Sequence, residues 1–121
     1  MFRYCNKLQN INLSQVTKIS SNAFEDCFQL DVKQQGLDFS KITYCIDTAF
    51  KGCPNIGDIE MPLLTGEFGI MFDECSSITS ISNLPNITSI AYPDNRWHGV
   101  FYNCTNLDTI DFSLSTNVTV A

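Results

Sequence analysis

Histidine and tryptophan occur once each in this chain of 121 residues, and lysine and arginine together only seven times. With His98 alone, and with no C-x-x-C or H-x-x-x-H spacing, the ligand sets of zinc sites are missing. A Cys–His nucleophile would need a cysteine beside His98 and a third group to orient it. Cys75 and Cys104 flank that region, but both fall on core-pattern positions, where a buried thiol is inert. No glycine-rich phosphate cradle is present, and the acidic residues form neither a general acid/base pair nor a calcium loop. No apolar run approaches the roughly 20 residues that cross a bilayer. Met1–Cys5 lacks a basic region followed by an apolar core, so it does not read as a signal peptide. The expectation is a chain without catalytic residues, metal or cofactor.

The shortage of basic residues is uneven. Residues 1–51 hold six of the seven against five acidic residues, for a net +1. Residues 52–121 hold Arg96 alone against eight acidic ones, for a net −7. Such an acidic half repels nucleic-acid backbones and anionic membrane surfaces, and neither is expected as a partner.

What the chain has in quantity is repetition. Phe50-Lys51-Gly52-Cys53-Pro54-Asn55-Ile56, continuing to Ile59 and Met61, has the spacing of Phe2-Cys5-Leu8-Ile11-Leu13. Phe72-Cys75-Ile78-Ile81 and Phe101-Cys104-Leu107-Ile110-Phe112 repeat it, and Phe24-Cys27-Leu30 carries its first half. Cysteines 5, 27, 53, 75 and 104 thus step by 22, 26, 22 and 29 residues. A period in the twenties marks a solenoid, with one supersecondary unit per turn. Hydrophobic content of 44% and a mean hydropathy of −0.01 suit a folded chain, long enough for one domain.

Each repeat reads as two pieces. Phe and Cys three apart share one face of a helical or 3₁₀ turn, which Asn22 and Thr48 could cap. The alternation in [LI]-x-x-I-x-[LM] then predicts a short strand, and strands of successive turns would pair in parallel about 4.8 Å apart. A second apolar pair closes the turn: Val16/Ile19, Phe39/Ile42, Phe68/Ile70 and Ile87/Ile90. The rhythm breaks twice. Lys33 stands where the other repeats have Ile, which predicts a shifted or irregular strand, and residues 91–100 form a loop rich in Pro, Asp, Asn and Gly.

The run Ala49-Phe50-x-x-Cys53-x-x-Ile56-x-x-Ile59-x-Met61 resembles the BspA-like (Treponema pallidum type) leucine-rich repeats, as do Cys75–Ile81 and Ile87-Thr88-Ser89-Ile90. The resemblance spans the whole chain. It implies a leucine-rich-repeat solenoid of about five turns over residues 1–121, near 1–22, 23–48, 49–70, 71–99 and 100–121, each with one short parallel β-strand and a short helical or 3₁₀ turn. It further implies adhesion or protein binding at a cell surface, in secretion or on a virion. Lys33, the long fourth insertion and the missing signal peptide and anchor depart from the family pattern.

Adjacent rungs lie close enough for disulfides, but equivalent side chains point the same way, so the five ladder cysteines read as buried free thiols. Cys45, outside the ladder, reads as the exposed one. The four N-x-[ST] sequons, at Asn12, Asn86, Asn103 and Asn117, fit chance in a chain this rich in Asn, Ser and Thr.

Two surfaces are candidates for binding a protein or glycan. The outward strand positions are Asn10, Asn12, Lys33, Gln35, Asp58, Glu60, Ser80, Ser82, Thr109 and Asp111. The fourth insertion adds Tyr92, Arg96, Trp97 and His98, including residue types that dominate binding hot spots. The first repeat begins at residue 2, inside the solenoid pattern, and neither end reads as a polar cap. That suggests a processed product, a fragment or an assembly subunit, with self-association through the end repeats as a competing, structural function.

Overall fold

Each repeat opens on a tight pair of turns. The computed structural model describes residues 2–31, 33, 37–90, 100–116 and 118–120. The Cys5, Cys27, Cys75 and Cys104 amides donate to the carbonyls of Phe2, Phe24, Phe72 and Phe101 at 3.0–3.3 Å. The residue three beyond each cysteine then donates back to the cysteine carbonyl, as Leu8, Leu30, Ile56, Ile78 and Leu107 do. These are not the expected helical or 3₁₀ turns, and the described residues contain no helix. The residue before each cysteine is left-handed: Tyr4, Asp26, Gly52, Glu74 and Asn103 have φ of 62°, 58°, 70°, 60° and 55°. One such residue ends helical propagation at a cost of about 1–2 kcal/mol when it is not glycine. Asn22 and Thr48 do not cap a helix either; the Asn22 amide donates to Thr48 Oγ1 and, at 2.8 Å, to Glu25 Oε2.

Contacts with the next repeat offset that strain. The Phe2, Phe24 and Phe50 amides each donate at 2.8 Å to a carbonyl one repeat on, at Ala23, Ala49 and Met71. The left-handed Tyr4, Asp26, Gly52 and Glu74 do the same to Glu25, Lys51, Asp73 and Tyr102 at 2.7–2.8 Å. Pointing the other way, the thiols of Cys27, Cys53, Cys75 and Cys104 donate to the Phe carbonyl of the preceding repeat, at 3.0, 3.1, 3.1 and 3.3 Å. The rings of Phe2, Phe24, Phe50 and Phe72 stack with centroids 5.3–5.5 Å apart and planes within 11°. Phe68 then packs against Phe72, Phe101 and Phe112.

Among the described residues, all strand pairing is parallel. β1 (Lys18–Ile19) pairs with β2 (Tyr44–Cys45). A three-stranded sheet has the order β3 (Ile59–Glu60), β5 (Ser80–Ser82), β7 (Thr109–Ile110). A second has β4 (Thr65–Phe68), β6 (Asn86–Ile90), β8 (Thr119–Val120). The Thr65 amide donates to the Thr43 carbonyl at 3.2 Å, which joins the columns of β2 and β4. β3, β5 and β7 are the strands expected after C-x-x-[LI] in the third, fourth and fifth repeats. The equivalent described residues of the first two repeats are not strand. There Asn12 Oδ1 accepts the Ser14 amide and hydroxyl, and Asp31 Oδ1 accepts the Lys33 amide. Such local Asx turns compete with a sheet ladder. Strands also run on segments expected only to close the turn, at β1, β4 and β6, and β2 and β8 form beyond the pairs expected there.

One core cluster runs through the stack, with Phe50, Cys53, Ile56, Ile59, Phe72, Ile78 and Ile81 at 0% exposure. All six cysteines are free thiols. The two expectations on exposure reverse at Cys45 and Cys5. Cys45 is 2% exposed, because it pairs in register with Ile19 and fills the inward position of its strand. Cys5 is exposed, because it lies on the side of the first repeat that faces away from the second. Burial pushes the Cys27 thiol up to about 11 and those of Cys45 and Cys53 up to about 12.

Two measurements follow from this packing. Phe50→Ala removes the ring at the centre of the stack and should cost about 3–5 kcal/mol, read from urea unfolding; an unchanged midpoint would remove Phe50 from the core. In native buffer a thiol reagent should modify Cys5 rapidly and the other five cysteines only on unfolding. Peptide mapping that finds Cys45 labelled as fast as Cys5 would contradict its inward placement.

Candidate functional site

The stacking that buries the apolar positions brings the polar ones between them into columns. Residues two beyond the cysteine (Gln29, Asn55, Ser77) and four beyond it (Gln9, Asp31, Gly57, Thr79) line a polar groove of about 620 Å³. Lys33 and Asp58 complete its lining, so the groove crosses four repeats. Among the described residues, its walls are carboxamides, hydroxyls, two carboxylates and one ammonium, with no aromatic ring, thiol or imidazole.

Several of these groups are held from one repeat to the next. Asn55 Nδ2 donates to the Phe28 carbonyl at 2.7 Å, and the Gly57 amide donates to Ser77 Oγ at 2.9 Å. Asp58 accepts the Thr79 amide at 2.7 Å, the Ser80 amide at 2.9 Å and the Thr79 hydroxyl at 2.8 Å. Burial pushes the Asp58 carboxyl up, but these bonds together outweigh it and hold the group below its ordinary value. Such a groove can offer fixed donors and acceptors to a polar ligand.

The structure sorts the expected binding residues into groups. Asp58, Glu60, Ser80, Ser82, Thr109 and Asp111 share the face of β3, β5 and β7, with Glu60 in register with Ser82 and Ser80 with Thr109. Of these, Asp58 also reaches the groove, where Lys33 joins it. Asp111 is occupied locally, accepting the Ser113 amide at 2.8 Å. Asn10 is exposed, and Asn12 borders a separate, apolar groove on the open side of the first repeat. Gln35, Tyr92, Arg96, Trp97 and His98 lie outside the described residues. Gln9, Gln29, Asp31, Asn55, Gly57, Ser77 and Thr79 were not singled out from the sequence. Their fixed offsets from the cysteines were the available signal. Among the described residues, no group of three or more His, Cys, Asp or Glu is placed to hold a metal ion.

Short parallel strands, tight turns and a stack of equivalent residues define a leucine-rich-repeat protein. The chain belongs to the BspA-type leucine-rich repeat family, whose model matches in six copies over residues 1–120. That is one copy more than the five F-x-x-C units. No protein of curated function and no solved structure matches the chain. Among the described residues, no helix is long and apolar enough to cross a membrane.

Asp58 gives a pH test. Its carboxyl is held low, so its contribution to stability is complete above the ordinary value of 3.8 and is lost as pH falls through the lower folded value. The stability difference between the parent and Asp58→Asn, from urea unfolding, should therefore be larger at pH 7 than near pH 3. A difference that does not change with pH would show that the Thr79 and Ser80 contacts carry no charge dependence.

Proposed function

We propose that the chain is a non-catalytic binding module, a solenoid that displays its polar groove and the adjoining face of β3, β5 and β7 to a protein or glycan ligand. The observation that carries this reading is the repeat-to-repeat anchoring of the groove, by Asn55, Ser77 and Asp58. A surface fixed in this way loses little conformational freedom on binding. Family resemblance supports an adhesive role at a cell surface, in secretion or on a virion.

The test is an array screen with peptides and glycans, followed by titration of any hit. Replacing Gln29, Asp31 and Lys33 together by Ala changes exposed or half-buried groove residues. It should weaken a groove ligand about tenfold or more while leaving the melting temperature near that of the parent. Unchanged affinity would move the site elsewhere. Mass spectrometry that finds the ligand cleaved or modified after incubation would overturn the non-catalytic reading.

A further inference from the structure

The polar groove has a period as well as a chemistry. Its two columns, Gln29, Asn55, Ser77 and Gln9, Asp31, Gly57, Thr79, gain one member per repeat. Successive repeats lie about 4.8 Å apart where strands are hydrogen-bonded, and 5.3–5.5 Å apart at the stacked rings. An extended peptide advances about 3.3 Å per residue and brings equivalent groups back to one side about every 6.6 Å. Neither distance matches the repeat. The groove also crosses the repeats instead of following a sheet edge, so a peptide cannot join it as an added strand. Among the described residues, every one that lines it is polar or glycine, which leaves no pocket for the aromatic anchors of a peptide.

We propose that the groove takes a neutral, unbranched glycan of extended, equatorially linked pyranose rings, one ring to a repeat. This deepens the reading of the groove as a binding surface and rests on it. A pyranose ring with its bridging oxygen advances by close to one repeat, and its hydroxyls both donate and accept. The groove holds partners of both kinds. Asn55 spends Nδ2 on the Phe28 carbonyl and Asp31 spends Oδ1 on the Lys33 amide, so each keeps a second oxygen to accept. The Gln9 carboxamide and the Lys33 ammonium can donate, and among the described residues neither side chain is engaged. Asp31 and Asp58 outnumber Lys33, which disfavours uronic or sulfated sugars. With no ring in its walls to stack on, the groove holds a sugar chain by hydrogen bonds, and affinity builds up with chain length.

Titration calorimetry with β-1,4-linked oligomers of glucose, mannose and N-acetylglucosamine, two to four sugars long, reads this match. At least one series should bind, with affinity rising about two- to tenfold per added sugar, as one hydrogen bond contributes. Gln9→Ala, at an exposed side chain, should weaken the four-sugar oligomer by about that factor and leave the melting temperature unchanged. Equal affinity for two and four sugars overturns the proposal. So does tighter binding of an oligogalacturonate than of every neutral series. A peptide that binds while no glycan does, and is lost on replacing Gln29, Asp31 and Lys33, overturns the glycan but keeps the binding module. If neither peptides nor glycans bind, both readings fall together.

Discussion

The donation of a cysteine thiol to the phenylalanine carbonyl of the preceding repeat sets the geometry on which the rest of the structure depends. A thiol is a weak donor, but it is small enough to be fully buried inside the stack, as at Cys27, Cys53 and Cys75. In return, the phenylalanine amide and that of the left-handed residue reach forward to the next repeat. Each repeat is thus tied in both directions by groups that would otherwise be buried without partners. The stacked rings, 5.3–5.5 Å apart, bring the apolar contact to nearly the spacing that hydrogen-bonded strands require, about 4.8 Å. Hydrogen bonds and packing therefore agree on one pitch.

That pitch carries over to the surface. Because the buried residues fall into register, the polar residues at fixed offsets from each cysteine do too, and four repeats contribute to one groove. Such a surface belongs to no single repeat. It arises from stacking.

The repeat, the parallel pairing and most of the core were legible in the sequence, since they depend on spacing. Phe50, Cys53, Ile56 and Ile59 stand where the pattern puts them. What depends on one backbone angle was not. Tyr4 and Glu74 give no sign of a left-handed conformation, although Gly52, Asp26 and Asn103 in equivalent places are residue types that tolerate it. Reading Phe and Cys as one helical face followed from spacing alone. The Cys45 error had a similar source: Thr43-Tyr44-Cys45 occupies the place of Thr17-Lys18-Ile19, and its cysteine takes the Ile position. Groove residues such as Gln29 and Asn55 carry no strand alternation to mark them, because the groove lies on the turn that leads into the strand positions.

The left-handed column also shows how neighbouring repeats constrain one another's sequence. A Cβ on Gly52 would meet Asp26 Oδ1 at 2.0 Å, so the Asp26 carboxylate occupies the space that the missing side chain leaves. Burial, and then the charges of Glu25 and Glu74, raise the Asp26 carboxyl above its ordinary value. A small residue in one repeat thus admits a polar one from the repeat before it, at an electrostatic cost. Arg3 pairs with Glu25 at 2.6 Å and Lys51 with Glu74 at 3.7 Å, placing basic groups among these acids. The choice of residue at a turn position is therefore settled between two successive repeats, while the Phe and Cys that set the pitch recur in every one.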